Sequence, residues 1–200
     1  WAGSTEWLPY CLEALARQTV AAQTIVVVDG PAPDIEDQVR RTLSGARVIR
    51  RQQREGFAVA ASAGLRAART DLVALLNDDA VPDPTWLEAL RDGAARHPNA
   101  GSFASRVVRR DDPSVLDSAG HGLTRWGEAF AIGGGAEDGP AYAEEREVFG
   151  APASASAYRL ELLRDCGAFD VSMGAYLEDV DLSLRAQLLG FPCVYLPAAR

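Results

Sequence analysis

Cysteine is scarce in this chain of 200 residues: Cys11, Cys166 and Cys193 are scattered and odd in number. No C-x-x-C pair occurs, so neither a zinc site nor a disulfide framework is indicated, and buried free thiols are the expectation. Positive charge is also short. Twenty Lys plus Arg stand against 28 Asp plus Glu, a formal net charge of −8. That balance argues against general nucleic-acid binding, which wants a basic face. Long apolar runs are missing as well; no stretch approaches membrane-spanning length, and no signal peptide is visible. There is no internal repeat and no linker. The length fits one domain that can bury a sizeable core, and the apolar share of 48% is ordinary for a globular protein. The chain also lacks an initial Met and a strand before its first helix, and it ends abruptly after Leu196-Pro197. We therefore expect a fragment of a longer protein.

What is present is organised around Leu72-Val73-Ala74-Leu75-Leu76-Asn77-Asp78-Asp79. Five apolar residues end in an amide and two carboxylates, and Pro82 and Pro84 follow. The run has the length of a strand buried on both faces. Open α/β sheets place ligands at the carboxyl ends of such strands. Two adjacent acids there repel unless a cation or donors compensate them. Hard oxygen ligands suit Mg2+ or Mn2+, and Mg2+ takes one or two carboxylates plus substrate phosphates. The competing reading is a pair of solvated acids capping a strand.

Residues 7–18 carry Leu8, Leu12 and Leu15 at helical spacing. Thr24-Ile25-Val26-Val27-Val28 reads as a central strand and ends in Asp29, with turn residues Gly30, Pro31 and Pro33 after it. Asp34 is placed to cap a helix with Ile35, Val39 and Leu43 on one face. A short strand over 46–50 precedes a polar loop with Arg51 and Arg54. Residues 57–69 form an Ala-rich helix, whose Ala60, Ala61, Ala63 and Gly64 allow close packing on a sheet. After Asp79, Asp83 is expected to cap a helix with Trp86, Leu87, Leu90 and Ala94 inward. This alternation predicts an α/β fold with a mostly parallel central sheet flanked by helices. Further on, 101–108 reads as a strand, 111–139 as a long irregular Gly- and Asp-rich stretch, and 147–158 as a strand broken by Gly150 and Pro152. A short helix over 160–164 has Gly167 as its cap. The last helix, opening at Glu178-Asp179-Val180-Asp181, is expected to bury a stripe of Val180, Leu184 and Leu188, with a final strand over 191–196.

Three acidic stops therefore stand out: Asp29, Asp78-Asp79 and Glu178-Asp179-Asp181. Acids in a first helical turn are also favoured by the helix dipole alone. Taken with Trp7-Leu8-Pro9-Tyr10-Cys11-Leu12, Gly56-Phe57-Ala58 and Tyr176-Leu177-Glu178-Asp179-Val180-Asp181-Leu182, in this order over nearly the whole chain, they resemble glycosyltransferase family 2 with its GT-A fold. The chain is most similar to the bacterial rhamnosyltransferase-like members.

The resemblance implies transfer of a sugar, with inversion, from a nucleotide-diphosphate donor to the hydroxyl of a glycan or lipid-linked acceptor, with Mg2+ or Mn2+ as cofactor. By position it gives Asp29 to the nucleotide base, and Gly56, Asn77 and Asp78 to the nucleotide-sugar; Arg54, by its guanidinium, suits phosphate or base contacts in the same nucleotide-sugar site. Asp79, with Asp78, matches the family's aspartate-x-aspartate metal motif. Asp179 matches the general base, and Glu178 competes for that role. Residues to about 100 would bind nucleotide and the remainder acceptor. Cell-surface polysaccharide or glycolipid synthesis, a cytoplasmic location and peripheral membrane association through segments outside this chain are implied in the same way.

The sequence also departs from the family. Gly30-Pro31-Ala32-Pro33 replaces the usual Asn-Gly-Ser, and Arg54 and Ser62 stand where Asn is usual, which leaves donor identity open. The family's first strand and late metal-binding histidine have no counterpart here. His97, beside Pro98, reads as a helix-end residue; His121 lies in a Gly-rich loop where it could face acceptor. The alternatives are a non-catalytic nucleotide-sugar-binding module and a sugar nucleotidyltransferase. The latter needs a Gly-rich phosphate loop after its first strand, and Gly133-Gly134-Gly135 comes too late for that.

Overall fold

Each apolar run of the first half becomes a strand, and each stripe a helix laid against it. In the computed structural model, which describes residues 6–32, 34–174 and 176–200, α1 (Leu8–Ala16) leads to β1 (Ile25–Asp29), α2 (Ile35–Thr42), β2 (Arg47–Arg51), α3 (Phe57–Ala67), β3 (Leu72–Leu76) and α4 (Trp86–Arg96). The second half adds β4 (Ser102–Ser105), β5 (Val107–Val108), β6 (Leu116–Ser118), β7 (His121–Leu123), β8 (Ala129–Ala131), β9 (Arg146–Val148), β10 (Ala155–Arg159), α5 (Leu160–Asp165), α6 (Glu178–Leu188) and β11 (Cys193–Leu196). Pro33, read as a turn residue, and Ala175, at the head of the last acidic segment, lie outside the described residues.

The main sheet has the order β3-β10-β4-β11-β9. It is mixed rather than mostly parallel. β4 and β11 pair in parallel, but β10 is antiparallel to both β3 and β4, and β9 is antiparallel to β11. The physical reason is the connection. A helical crossover through α4 makes β4 run the same way as β3, whereas residues 106–154 return without an α-helix and let β10 enter between them in the opposite sense. Gly150 and Pro152 do break the 147–158 run, into β9 and β10.

The sheet is covered on both faces. Tyr158, Leu162, Leu182 and Tyr195 centre one core. Trp86, Leu90, Phe103 and Leu196 centre the other, where the Trp86 indole N–H donates to Ser105 Oγ at 2.9 Å. β1 and β2 form a separate parallel pair, packed with Leu8, Leu12, Ile35 and Val39. Gly64 of α3 lies so close to β1 that a Cβ there would sit 3.3 Å from Val27 Cγ2. Among the described residues, β1 pairs only with β2 and β3 only with β10. Both strands border an apolar cavity of about 700 Å3, lined also by α1, α3 and α4.

Three local expectations are corrected. Asp83 does not cap α4; Thr85 holds that position, and the Asp83 carbonyl instead accepts from Trp86 N–H at 3.0 Å. Residues 111–139 are not structureless, because β5 pairs with β6 and β7 with β8. On α6 the buried residues are Glu178, Leu182, Ser183 and Ala186, while Leu184 and Leu188 of the expected stripe are 43% and 77% exposed. Polar attachments set the rotation of this helix: Ser183 fits against Gly150, where a Cβ would be 2.0 Å from its Oγ, and Arg185 donates to the carbonyls of residues 166–168. His97 sits at the C-cap of α4 and its Nε2 meets Glu145 at 2.6 Å.

Candidate active site

Asp29 closes β1 and is 1% exposed. Its carboxylate accepts from the backbone N–H of Glu55 at 3.0 Å and of Gly56 at 2.8 Å, with Arg51 Nε 3.4 Å away. A buried carboxylate needs such donors. Asp29 thereby fixes the turn that carries the exposed Arg54 and leads into α3. Gly56 takes φ +95°, and a Cβ there would lie 2.9 Å from the Gly174 carbonyl oxygen. Only glycine meets both demands.

Asn77, Asp78 and Asp79 follow β3. Asn77 N–H donates to the Ser154 carbonyl at 2.9 Å, which continues the β3–β10 ladder by one residue. Asp78 is half-buried and Asp79 is exposed. Burial, reinforced by the Asp79 charge, raises the Asp78 carboxyl above its ordinary value. The same surroundings push the buried Cys11 thiol up to about 12, so it is inert. Among the described residues no arginine pairs with either carboxylate, although the Arg110 guanidinium, stacked 3.8 Å above the Trp7 ring, donates to the Asp79 carbonyl. Nor do three His, Cys, Asp or Glu side chains converge among the described residues. Two adjacent carboxylates with no arginine on either side chain among the described residues fit a cation that draws its other ligands from phosphate oxygens and water.

Glu178 and Asp179 open α6. The two residues before them, Tyr176 and Leu177, both have positive φ, 73° and 68°. Such left-handed conformations are costly for large side chains and concentrate at functional sites. Asp179 is turned inward by three donors. His121 Nε2 lies 3.1 Å from Oδ2, Ala153 N–H donates to Oδ2 at 3.0 Å, and Val180 N–H donates to Oδ1 at 2.9 Å. Burial alone would raise this carboxyl, but the His121 bond and the two backbone donors outweigh it and hold the pKa below its ordinary value. Glu178 differs. Its Oε2 is buried without a partner among the described residues, and burial followed by the Asp179 charge raises its pKa.

These groups belong to one place. Ala153 holds Asp179 while the adjacent Ser154 holds Asn77, so the base candidate and the end of β3 hang on consecutive residues. Gly174 touches Gly56 on one side and lies four residues before Glu178 on the other. A cavity of about 280 Å3, lined by His121, Phe130, Tyr176, Leu177, Glu178 and Asp179, opens beside them. Sequence reading missed the engagement of His121 with Asp179. A lone histidine in a Gly-rich loop, 58 residues from its partner, carries no spacing signal.

Residues 4–166 match the family described as Glycosyl transferase family 2. The chain is 30% identical over 192 residues to the pre-mycofactocin glycosyltransferase of Mycobacterium tuberculosis, covering 94% of this chain and 38% of that protein. It is 33% identical over 140 residues to the N-acetylglucosaminyl-diphospho-decaprenol L-rhamnosyltransferase of the same organism, covering 64% of this chain and 45% of that one. The chain thus spans less than half the length of these curated relatives. Among solved structures, the mannosyltransferase PcManGT from Pyrobaculum calidifontis, in complex with GDP-Man and Mn2+, superposes with a TM-score of 0.67 at 20% identity, over 98% of this chain and 52% of that one. GalNAc-T7 with UDP, GalNAc and Mn2+ gives 0.72 at 13% identity, over 92% and 38%.

Proposed function

The chain belongs to glycosyl transferase family 2 and has the GT-A fold, and from that premise we propose that it moves a sugar from a nucleotide-diphosphate donor to an acceptor hydroxyl, with inversion. The observation that carries this reading is the tie between Asp179 and Asn77 through the consecutive residues Ala153 and Ser154. It sets a carboxylate base beside a strand end whose two acids suit a metal diphosphate.

In this reading Asp79, aided by Asp78, would hold Mg2+ or Mn2+. Such an ion, when bound, neutralises the charge that develops on a diphosphate leaving group. Asp29 organises the nucleotide pocket by fixing Glu55 and Gly56, and Arg54 faces the nucleotide from that turn. The acceptor enters the cavity beside Phe130 and Tyr176. Its hydroxyl oxygen attacks the anomeric carbon, the bond from that carbon to the diphosphate oxygen breaks, and the hydroxyl proton passes to Asp179. Glu178 is the weaker candidate for base, because no described donor orients its buried Oε2, whereas three donors hold the Asp179 carboxylate. The mycobacterial relative whose name specifies a decaprenol-linked substrate supports a lipid-linked glycan as acceptor, hence a place in cell-surface glycan synthesis at the cytoplasmic membrane face. No described helix is long and apolar enough to cross a membrane.

The test is a screen of nucleotide sugars for nucleoside diphosphate release, with and without Mg2+ or Mn2+, alongside Asp79→Ala. Metal-dependent release from one donor, lost in the variant, is expected and names the donor. Metal-independent release, or release undiminished by Asp79→Ala, would sink the metal assignment. Absence of binding to every nucleotide sugar would sink the transferase reading.

A further inference from the structure

We infer that His121 is a positioning residue for Asp179: its Nε2–H holds Oδ2, so that Oδ1 is the oxygen that takes the acceptor proton. This rests on the reading of Asp179 as base. The bookkeeping of lone pairs carries it. Oδ2 accepts from both His121 Nε2 and Ala153 N–H, which fills it, whereas among the described residues Oδ1 accepts only from Val180 N–H and keeps a lone pair open. Nε2 faces a carboxylate and must therefore carry the proton, which assigns the tautomer from the partner.

Two further observations separate this from ordinary packing. First, His121 Nδ1 is buried and has no hydrogen-bond partner among the described residues. Buried polar atoms are almost always paired, so this one calls for an explanation. This ring is satisfied on the side of Asp179 alone. Second, the same short segment clamps both partners. His121 N–H donates to the Gly150 carbonyl at 2.8 Å and its carbonyl accepts from Phe149 N–H at 3.0 Å, while Ala153, three residues on from Gly150, holds Asp179. Ser183 Oγ, against Gly150, donates to the Asp179 carbonyl at 2.6 Å. The ring and the carboxylate are thus fixed to a common backbone, as a preorganised base requires. Among the described residues, the other titratable groups facing Asp179 are Glu178, beside it on α6, and the Tyr158 hydroxyl from β10. Neither supplies a hydrogen bond to it.

The experiment uses the whole chain with 13C-labelled aspartate, free of donor and metal, and follows the carboxyl carbon of Asp179 from pH 2 to 7; Asp179→Asn assigns the signal. In the unsubstituted chain the midpoint should fall below the ordinary aspartate value of about 3.9. His121→Phe, which keeps the ring and removes the donor, should raise it. His121→Gln, which can still donate, should lie between. In transfer assays with the donor found by the screen, His121→Phe should lower kcat roughly tenfold or more, because the carboxylate is no longer held in place even though its basicity rises. Its donor KM should not change, and the acid limb of the kcat profile should move upward with the Asp179 midpoint. A merely structural histidine would lower activity equally at every pH. Should His121→Phe not fold, His121→Gln and His121→Asn make the same comparison. An Asp179 midpoint and acid limb unmoved in these folded variants would overturn the inference and leave Asp179 as base. Full activity in Asp179→Asn would instead overturn the base reading beneath it.

Discussion

Asp179 and Asp29 are both inward-facing acids at the ends of secondary-structure elements, and their partners give them different work. Asp29 has its oxygens engaged by Glu55, Gly56 and Arg51, so it shapes a turn. Asp179 keeps acceptor capacity on Oδ1 beside a cavity, so it can take a proton. Asp179→Asn should leave donor binding intact and lower transfer by roughly two to four orders of magnitude, measured by calorimetry with the donor against nucleoside diphosphate release. It should also change stability with a definite sign. A carboxyl whose pKa is lowered on folding stabilises the fold above its unfolded value, and that contribution is lost as pH falls through the folded value. The unfolding free energies of the unsubstituted chain and Asp179→Asn should therefore differ at pH 7 and converge below pH 4, as read from urea melts. Gly56→Ala would combine a φ of +95° with a Cβ 2.9 Å from the Gly174 carbonyl. We expect a loss of about 1–3 kcal/mol together with weaker nucleotide binding, checked by denaturation and by titration with nucleoside diphosphates.

At the scale of elements, α6 shows how a site overrides an amphipathic pattern. Val180, Leu184 and Leu188 have helical spacing, yet Leu188 is 77% exposed, and so is more than half of the adjoining Leu189. The helix is rotated to bring Glu178, Asp179 and Ser183 inward, and Gly150 makes room for that rotation. Gly150→Ala should force Ser183 and the first turn of α6 away from residues 150–153. The expected result is a loss of transfer larger than the loss of stability, with donor binding retained, because the nucleotide side hangs on α3 and β3. Nucleoside diphosphate release compared with thermal melting would show it; unchanged turnover would mean that α6 does not need this contact. The same logic separates the strands. β3 was legible from composition alone, since five apolar residues ending in Asn77 leave few other readings. β10 was legible as a strand, but not as one inserted antiparallel between β3 and β4. Its pairing depends on where residues 106–154 deliver it, and no local pattern encodes that.

For the whole molecule, β1 and β3 each have one edge without a partner strand among the described residues, and both border an apolar slot of about 700 Å3. Cys11 of α1 lies near the Asn77 carbonyl, 3.6 Å away, so the start of α1 sits at the carboxyl ends of these strands, where a parallel strand entering α1 would finish. Fusing a five-residue apolar strand upstream of residue 1 should pair both edges and bury the cavity lining. We expect a melting temperature higher by several degrees, since about 1 kcal/mol corresponds to roughly 2–4 °C at this size, and loss of binding of an apolar fluorescent dye. An unchanged melt would show that the slot does not accept a strand. The sequence by itself determined the helices and strands of residues 6–96, the three acidic stops and the kinship they imply, because these depend on local periodicity and on residue types at chain positions. Only the tertiary structure decided that the sheet is mixed, that Asp29 supports a turn, that α6 turns its leucines outward, and that His121 meets Asp179. Each of these is a contact between segments far apart in the chain, set by packing and by the need of every buried polar group for a partner.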